Sequence, residues 1–214
     1  MIGVMPNPST YRRAIVSYIG TTLDTSALAT VTLTGVAIGT PAPDRLVVAV
    51  VLGRDSNART ISSVTIGGVA ATAAVTSPSQ NNPTGIYYAR VPAGTTADIV
   101  VTFSAATTRM AVAVYTLTGY RNAAPAAVDQ DYDTTTTLSA TLARPRDAVV
   151  IAGSITSSTG TFTWTGATED ADTAHSGNRA STASATFGAA DPAMAISFVN
   201  TSSGAASLCA ATWT

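Results

Sequence analysis

The chain contains little charge, a single cysteine and a single histidine, and it contains no lysine. Only 11% of its 214 residues are charged, whereas about 25% is typical of globular domains. The eleven basic residues are all arginines, and only Arg12 and Arg13 are adjacent. Because phosphate-rich partners are bound by concentrated basic surfaces, we expect neither nucleic acid nor a membrane as a partner. A net charge of −1 leaves copies little mutual repulsion, so we expect a homo-oligomer.

The scarcity of cysteine and histidine limits the chemistry that the chain can perform. Cys209 has no partner for an internal disulfide, and Cys209 with His175 supplies too few ligands for a zinc site. Cys209 alternates with its neighbours in the last predicted strand, which is typical of a small core residue. His175 lies in the polar stretch from Asp172 to Arg179 and is predicted to be an exposed loop residue. The sequence therefore predicts no catalytic residue and no cofactor.

Alternating or doubly apolar segments make up most of the chain. Ile99 to Phe103 alternates with a period of two, as a strand with one buried face does. Met110 to Thr118 is apolar on both faces, which is typical of a central strand. We expect these two segments to form a core hairpin, and Gly67-Gly68 to form the turn of another. About twelve such segments, without a helical period, predict an all-β chain folded as a single jelly-roll-like β-sandwich of antiparallel strands.

The predicted organisation is an N-terminal extended arm over residues 1–13 and one sandwich domain over residues 14–214. The arm is predicted to dock onto a neighbouring protein through Met5, Pro6, Asn7 and Pro8. The longest irregular stretch, Thr76 to Thr84, is predicted to be an exposed recognition loop. Its candidate contact residues are Gln80, Asn81 and Asn82. A polar stretch from Tyr120 to Asp133 is expected to connect the two halves of the chain.

Two acidic groups are the candidates for metal or hydrolytic chemistry. The first alternates along the chain and could converge on Ca²⁺, which prefers oxygen ligands; it consists of Asp129, Asp131 and Asp133. The EF-hand pattern is absent, and a solvated loop explains this group more simply. In the second group, Glu169, Asp170 and Asp172, Glu169 could act as the acid of a glycan hydrolase. The chain is only 6% aromatic, however, so Trp164 and the tyrosines are the few groups available for sugar stacking, and Trp213 is expected to be a packing residue.

The second half of the chain contains echoes of the first. Asp44 to Val48 resembles Asp147 to Ile151. The closing strand pairs of the two halves are also alike: residues 99–103 with 110–117, and residues 194–198 with 208–213. Duplication of an ancestral unit would explain these echoes. Shared strand and turn physics explains them more simply, and both explanations stay open at this point.

Several strand-and-turn phrases, best matched over residues 45–119, resemble a known group of proteins. The phrases are Val64–Gly68, Ile86–Ala89, Val91–Thr95, Ile99–Ser104 and Val112–Tyr115. With them the chain resembles the β-sandwich virion proteins of tailed bacteriophages and gene transfer agents, which include head-decorating, spike, fibre and tail components.

This resemblance implies a non-enzymatic, multicopy virion protein that contacts its own copies and other capsid or tail proteins. A role in adsorption to a host-surface glycan is compatible with it. Since Met1 to Ser9 shows neither a basic start nor a long apolar core, we expect no signal peptide, synthesis in the bacterial cytoplasm and a final location in the virion. The two alternatives are a carbohydrate-binding β-sandwich module and a weak glycan hydrolase.

Overall fold

The computed structural model of the protein describes residues 13–78 and 80–214. All the regular elements in these residues are β-strands, and their pairings are antiparallel. The all-β prediction is confirmed. Within the same residues there is no helix that could span a membrane. The predicted docking residues of the arm, Met5, Pro6, Asn7 and Pro8, lie outside the described part of the chain.

The described part of the N-terminal half contains nine strands: β1 (Ile15–Asp24), β2 (Thr30–Ala37), β3 (Leu46–Arg54), β4 (Ile61–Ile66), β5 (Val69–Ala70), β6 (Thr72–Thr76), β7 (Thr84–Arg90), β8 (Thr96–Phe103) and β9 (Arg109–Thr118). Five of them form the inner N sheet, in the order β1-β9-β3-β7-β6. The other four form the outer N sheet, in the order β2-β8-β4-β5. The predicted turn at Gly67-Gly68 is confirmed, because both glycines have positive φ between the paired strands β4 and β5.

The C-terminal half contains eight strands: β10 (Ala127–Asp133), β11 (Thr137–Arg144), β12 (Val149–Thr156), β13 (Phe162–Thr165), β14 (Thr168–His175), β15 (Asn178–Thr186), β16 (Asp191–Asn200) and β17 (Ala206–Trp213). The inner C sheet has the order β10-β17-β12-β15-β14. The outer C sheet has the order β11-β16-β13.

The C-terminal half repeats the N-terminal half strand for strand. Replacing β1–β4 by β10–β13, and β6–β9 by β14–β17, converts one set of sheet orders into the other, and among the strands of the described residues only β5 has no counterpart. The repeat extends to an irregularity, since β6 is bulged at Ala74 against β7 and β14 is bulged at the equivalent Asp170 against β15. A shared strand order with a shared bulge favours duplication over the resemblance of any two strands.

Four stacked sheets enclose three apolar cores. The core between the outer and inner N sheets is formed by side chains such as Val47, Val51, Ile66, Ile99 and Val112. The core between the inner and outer C sheets includes Leu138, Val150, Ile196, Phe198 and Leu208. The third core lies between the two inner sheets and includes Val48, Val50, Tyr115, Ile151 and Trp213. Because both inner sheets are covered on both faces, β3 is apolar from Leu46 to Leu52 and every residue of β12 is buried.

The structure corrects three sequence predictions about strands. The described residues form seventeen strands in four sheets rather than about twelve strands, while the coarser β-sandwich character is confirmed and the jelly-roll order is not. The expected core hairpin is wrong, since β8 and β9 belong to opposite sheets and the link between them crosses from one layer to the other. The stretch Tyr120 to Asp133 is a connection only in its first part, because β10 occupies its end. Strands β10 and β14 were not predicted from the sequence. They are polar edge strands, which lack the apolar alternation of a half-buried strand.

Arg45 ties together the loops at one end of the N-terminal half. Its side chain is completely buried at the start of β3 and donates hydrogen bonds to five backbone carbonyl oxygens, those of Ile38, Gly39, Val91, Ala93 and Gly94. Burial lowers the pKa of its guanidinium from the usual value. The equivalent residue in the C-terminal half is Ala148, so this anchor belongs to one half only.

Candidate functional site

Strand β14 carries the second acidic group at a corner of the C-terminal half. It is an edge strand of the inner C sheet, and β13, an edge strand of the outer C sheet, lies beside it. The bulge at Asp170 inserts one extra residue, so Glu169 and Asp172 both face β13 although they are three residues apart. Strict alternation would have placed these two side chains on opposite faces. The bulge therefore creates a pair of carboxylates that the sequence period does not predict.

Trp164 on β13 lies next to these carboxylates. Its indole Nε1–H donates to Ser181 Oγ at 2.7 Å, and that hydroxyl donates to Glu169 Oε2 at 3.4 Å. The indole stacks on Phe162 and meets the ring of Phe198 edge-on, with centroid distances of 6.3 and 5.5 Å. Because the indole is only half-buried, it combines a fixed orientation with an accessible surface. We call this cluster the Trp164 corner and define it by Trp164, Glu169, Asp172, Arg179 and Ser181.

Asp172 fixes the geometry of the Trp164 corner. Arg179 Nε donates to Asp172 Oδ1 at 2.5 Å, and the backbone amide of Phe162 donates to Asp172 Oδ2 at 3.2 Å. Partial burial, followed by the nearby Asp172 carboxylate, raises the pKa of Glu169. A carboxyl group with a raised pKa beside an indole can exchange hydrogen bonds with sugar hydroxyls, and the same trend suits a proton donor.

The aspartates of β10 link the edge of the inner C sheet that lies opposite β14 to the edge of the outer C sheet. Asp129 Oδ2 accepts the backbone amide of Thr141 at 2.7 Å, and Asp131 Oδ2 accepts that of Ser139 at 3.1 Å. Asp133 instead accepts the amide of its neighbour, Thr134. The alternation of Asp129 and Asp131 thus matches the period of the amides along β11, whose free edge they cover. Within the described residues, no group of three or more His, Cys, Asp or Glu could hold a metal ion.

His175 and Cys209 lie between the two halves of the chain. The prediction of an exposed His175 is wrong, because it is buried and its Nε2 lies 3.1 Å from the carbonyl oxygen of Asp24. Burial lowers the pKa of His175. The core assignment of Cys209 is confirmed, and its Sγ lies 3.1 Å from Thr84 Oγ1. Burial raises the pKa of Cys209 to about 12, so the thiolate required of a nucleophile is strongly disfavoured.

The proposed recognition loop is largely internal. Gln80 and Asn82 are buried, so the expectation that they are exposed is wrong, whereas Asn81 is half-buried. Asn82 Nδ2 donates to the carbonyl oxygens of Ile155 and Ala205 in the other half of the chain. A polar loop is here buried because its amides satisfy backbone carbonyls, which composition alone does not reveal. A recognition role for this loop stays a prediction.

A cavity of about 300 Å³ lies beside β1, β9 and the loop that joins β2 to β3. Ser17, Thr40, Thr116 and Thr118 contribute hydroxyl groups to its lining. None of its lining residues is charged or aromatic. It therefore offers hydrogen bonds but no stacking surface, and the Trp164 corner is the better candidate for ligand binding.

Comparison with known proteins leaves the geometry as the guide to function. The chain matches no protein-family model, no curated protein and no solved structure. Sequence reasoning found Glu169 and Asp172 but named Trp164 only together with the tyrosines, and it missed Arg179 and Ser181. The dipeptide Ser176-Gly177 was the available signal, because a hairpin turn there pairs β14 with β15 and brings these residues together.

Proposed function

We propose that the protein is a non-enzymatic, multicopy structural component of a phage-like virion, such as a head decoration, spike, fibre or tail protein. The observation that carries the proposal is that the reactive side chains form hydrogen bonds within the molecule. His175, Cys209 and Asp170 lie between the halves, with Asp170 Oδ2 accepting the phenol of Tyr115 at 2.9 Å. Asp129 and Asp131 secure the edge of β11. This use of polar groups for rigidity supports a mechanical role.

Particle sedimentation would test this proposal directly. In lysates of the producing cells, the protein should co-sediment with particles in several copies per particle, measured by quantitative mass spectrometry. Deleting residues 1–10 should remove it from the particles while its circular dichroism and melting temperature stay unchanged. Recovery of the intact protein only in the soluble fraction, or full incorporation of the truncated chain, would contradict the proposal.

A second candidate function is carbohydrate binding at the Trp164 corner. The half-buried indole beside Glu169 supports it, because sugars are held by an aromatic face together with carboxylate and hydroxyl partners. Binding to host polysaccharide should be lost in Trp164→Ala and retained in Tyr132→Ala, which removes an exposed aromatic side chain on β10. Turnover of the polysaccharide that disappears in Glu169→Gln would instead support the hydrolase alternative.

A further inference from the structure

Val50 and Gly153 are equivalent residues that face each other between the two halves. Each is the fifth residue of the central strand of its inner sheet, β3 or β12. A Cβ atom placed on Gly153 would overlap Cγ1 of Val50 and would lie 3.3 Å from Cδ2 of Leu52. Gly153 does not have the positive φ that would demand glycine. Its lack of a side chain is therefore explained by the close approach of Val50.

The contact between two equivalent residues places them on an approximate two-fold axis. In a two-fold interface, a contact between one element and another is matched by the reciprocal contact. Here β1 packs against β14, and their equivalents β10 and β6 also pack against each other. The halves of the chain are thus arranged approximately like the subunits of a two-fold dimer, with β3 in contact with β12 near the axis.

The residues near this axis are not symmetric, and the asymmetry favours pairing of unlike halves. Two N-terminal halves paired in this way would bring Val50 against Val50, whereas two C-terminal halves would leave Gly153 facing Gly153. The polar contacts follow the same rule, since Asp170 accepts from Tyr115 but the residue equivalent to Asp170 is Ala74. Discrimination of this kind combines a good fit to one partner with a clash or void against the other.

We propose that the inner face of each half is a recognition surface for a second unit of the same fold, and that Val50 and Gly153 make it select the unlike half. The Val50 side chain projects from one half and occupies the space that the absent side chain of Gly153 leaves in the other. The protein is, on this inference, a single-chain heterodimer derived from a two-fold pair. This inference stands independently of the proposed virion role.

A cleavable full-length chain would test the inference. A protease site inserted between Arg121 and Asn122, both exposed in the connection between the halves, allows the folded chain to be cut. Native mass spectrometry of the cut protein should show one N-terminal and one C-terminal fragment in a single complex. Dissociation of the cut wild-type chain, or re-pairing of like fragments, would overturn the proposal.

Exchange of the two residues provides the matched variants. Gly153→Val should lower the melting temperature by about 5 °C or more and should release the fragments after cutting. The double variant Val50→Gly/Gly153→Val contains the same side chains as the wild type and should recover at least half of that loss. If Gly153→Val alone does not fold, the inference is tested by the double variant, which should fold. Gly188→Val, at a glycine with no atom near its Cβ position, is the control for adding a valine. Additive destabilisation in the double variant would refute the selection by Val50 and Gly153.

Discussion

Replacement of Arg45 by alanine should lower the free energy of unfolding by about 3–5 kcal/mol, at the upper end of the range for single substitutions. The guanidinium is completely buried and donates five hydrogen bonds, at 2.7 to 3.1 Å, to carbonyl oxygens of two separate loops. Removing it leaves those carbonyls without their donor and separates the loop before β3 from the loop after β7.

The magnitude follows from two opposing contributions. Hydrogen bonds to charged groups contribute roughly 1.5–3 kcal/mol each, which for five bonds gives a gross sum on the order of 10 kcal/mol. Burial of the charge costs several kcal/mol, and water can reach part of the loops once the side chain is absent. The difference between these contributions leaves the expected 3–5 kcal/mol. Arg45→Lys should also be strongly destabilising, because an ammonium group has only three donors.

Urea denaturation of the full chain, followed by circular dichroism, measures this loss. Arg90→Ala is the matched control, because Arg90 is exposed and donates one hydrogen bond, to the carbonyl oxygen of Pro43 at 2.8 Å. The control should change the free energy of unfolding by no more than about 0.5 kcal/mol. If Arg45→Ala falls within about 1 kcal/mol of Arg90→Ala, the reasoning from the five carbonyl contacts is refuted.

Three further predictions concern single side chains. Burial lowers the pKa of His175, so its contribution to stability is fully present above the unfolded pKa of about 6.5 and is lost as the pH falls below it. The change in melting temperature between pH 7.5 and 5.5 should therefore be smaller in His175→Gln than in the wild type. Asp129→Ala should accelerate hydrogen exchange at the amide of Thr141, whereas Asp133→Ala should leave that amide unchanged, as NMR would show. Cys209 should resist alkylation in the native protein and react at once in urea; rapid native labelling would contradict its burial.

Apolar patterning predicted the centre of the fold well. The two faces of β9 and the continuous burial of β3 were both readable, because residues covered on both sides must be apolar throughout. The echo between Asp44–Val48 and Asp147–Ile151 marks the central strands of the two repeats. Sequence alone could not distinguish duplication from ordinary strand similarity, since the decisive features are strand order and bulge position.

The polar parts of the fold were less predictable, because their environment depends on long-range contacts. Asn82 resembles a loop residue in sequence, but its amide is buried against carbonyl groups more than seventy residues away along the chain. His175 is similarly buried by the other half of the molecule. The Trp164 corner depends on a bulge that adds one residue to β14. The two-residue period of a strand does not reveal where such a bulge lies. Alternation therefore identified the strands better than it identified the candidate site.

The stacking of four sheets also determines the distance between the two outermost sheets of the molecule. Sheets packed face to face are separated by about 10 Å, so the outermost sheets of this stack lie roughly 30 Å apart. The cavity beside the β2–β3 loop is lined by β1 and β9 of the inner N sheet, whereas the Trp164 corner includes β13 of the outer C sheet. Because an apolar core joins each pair of neighbouring sheets, the stack holds these two surfaces at a fixed separation without a flexible linker.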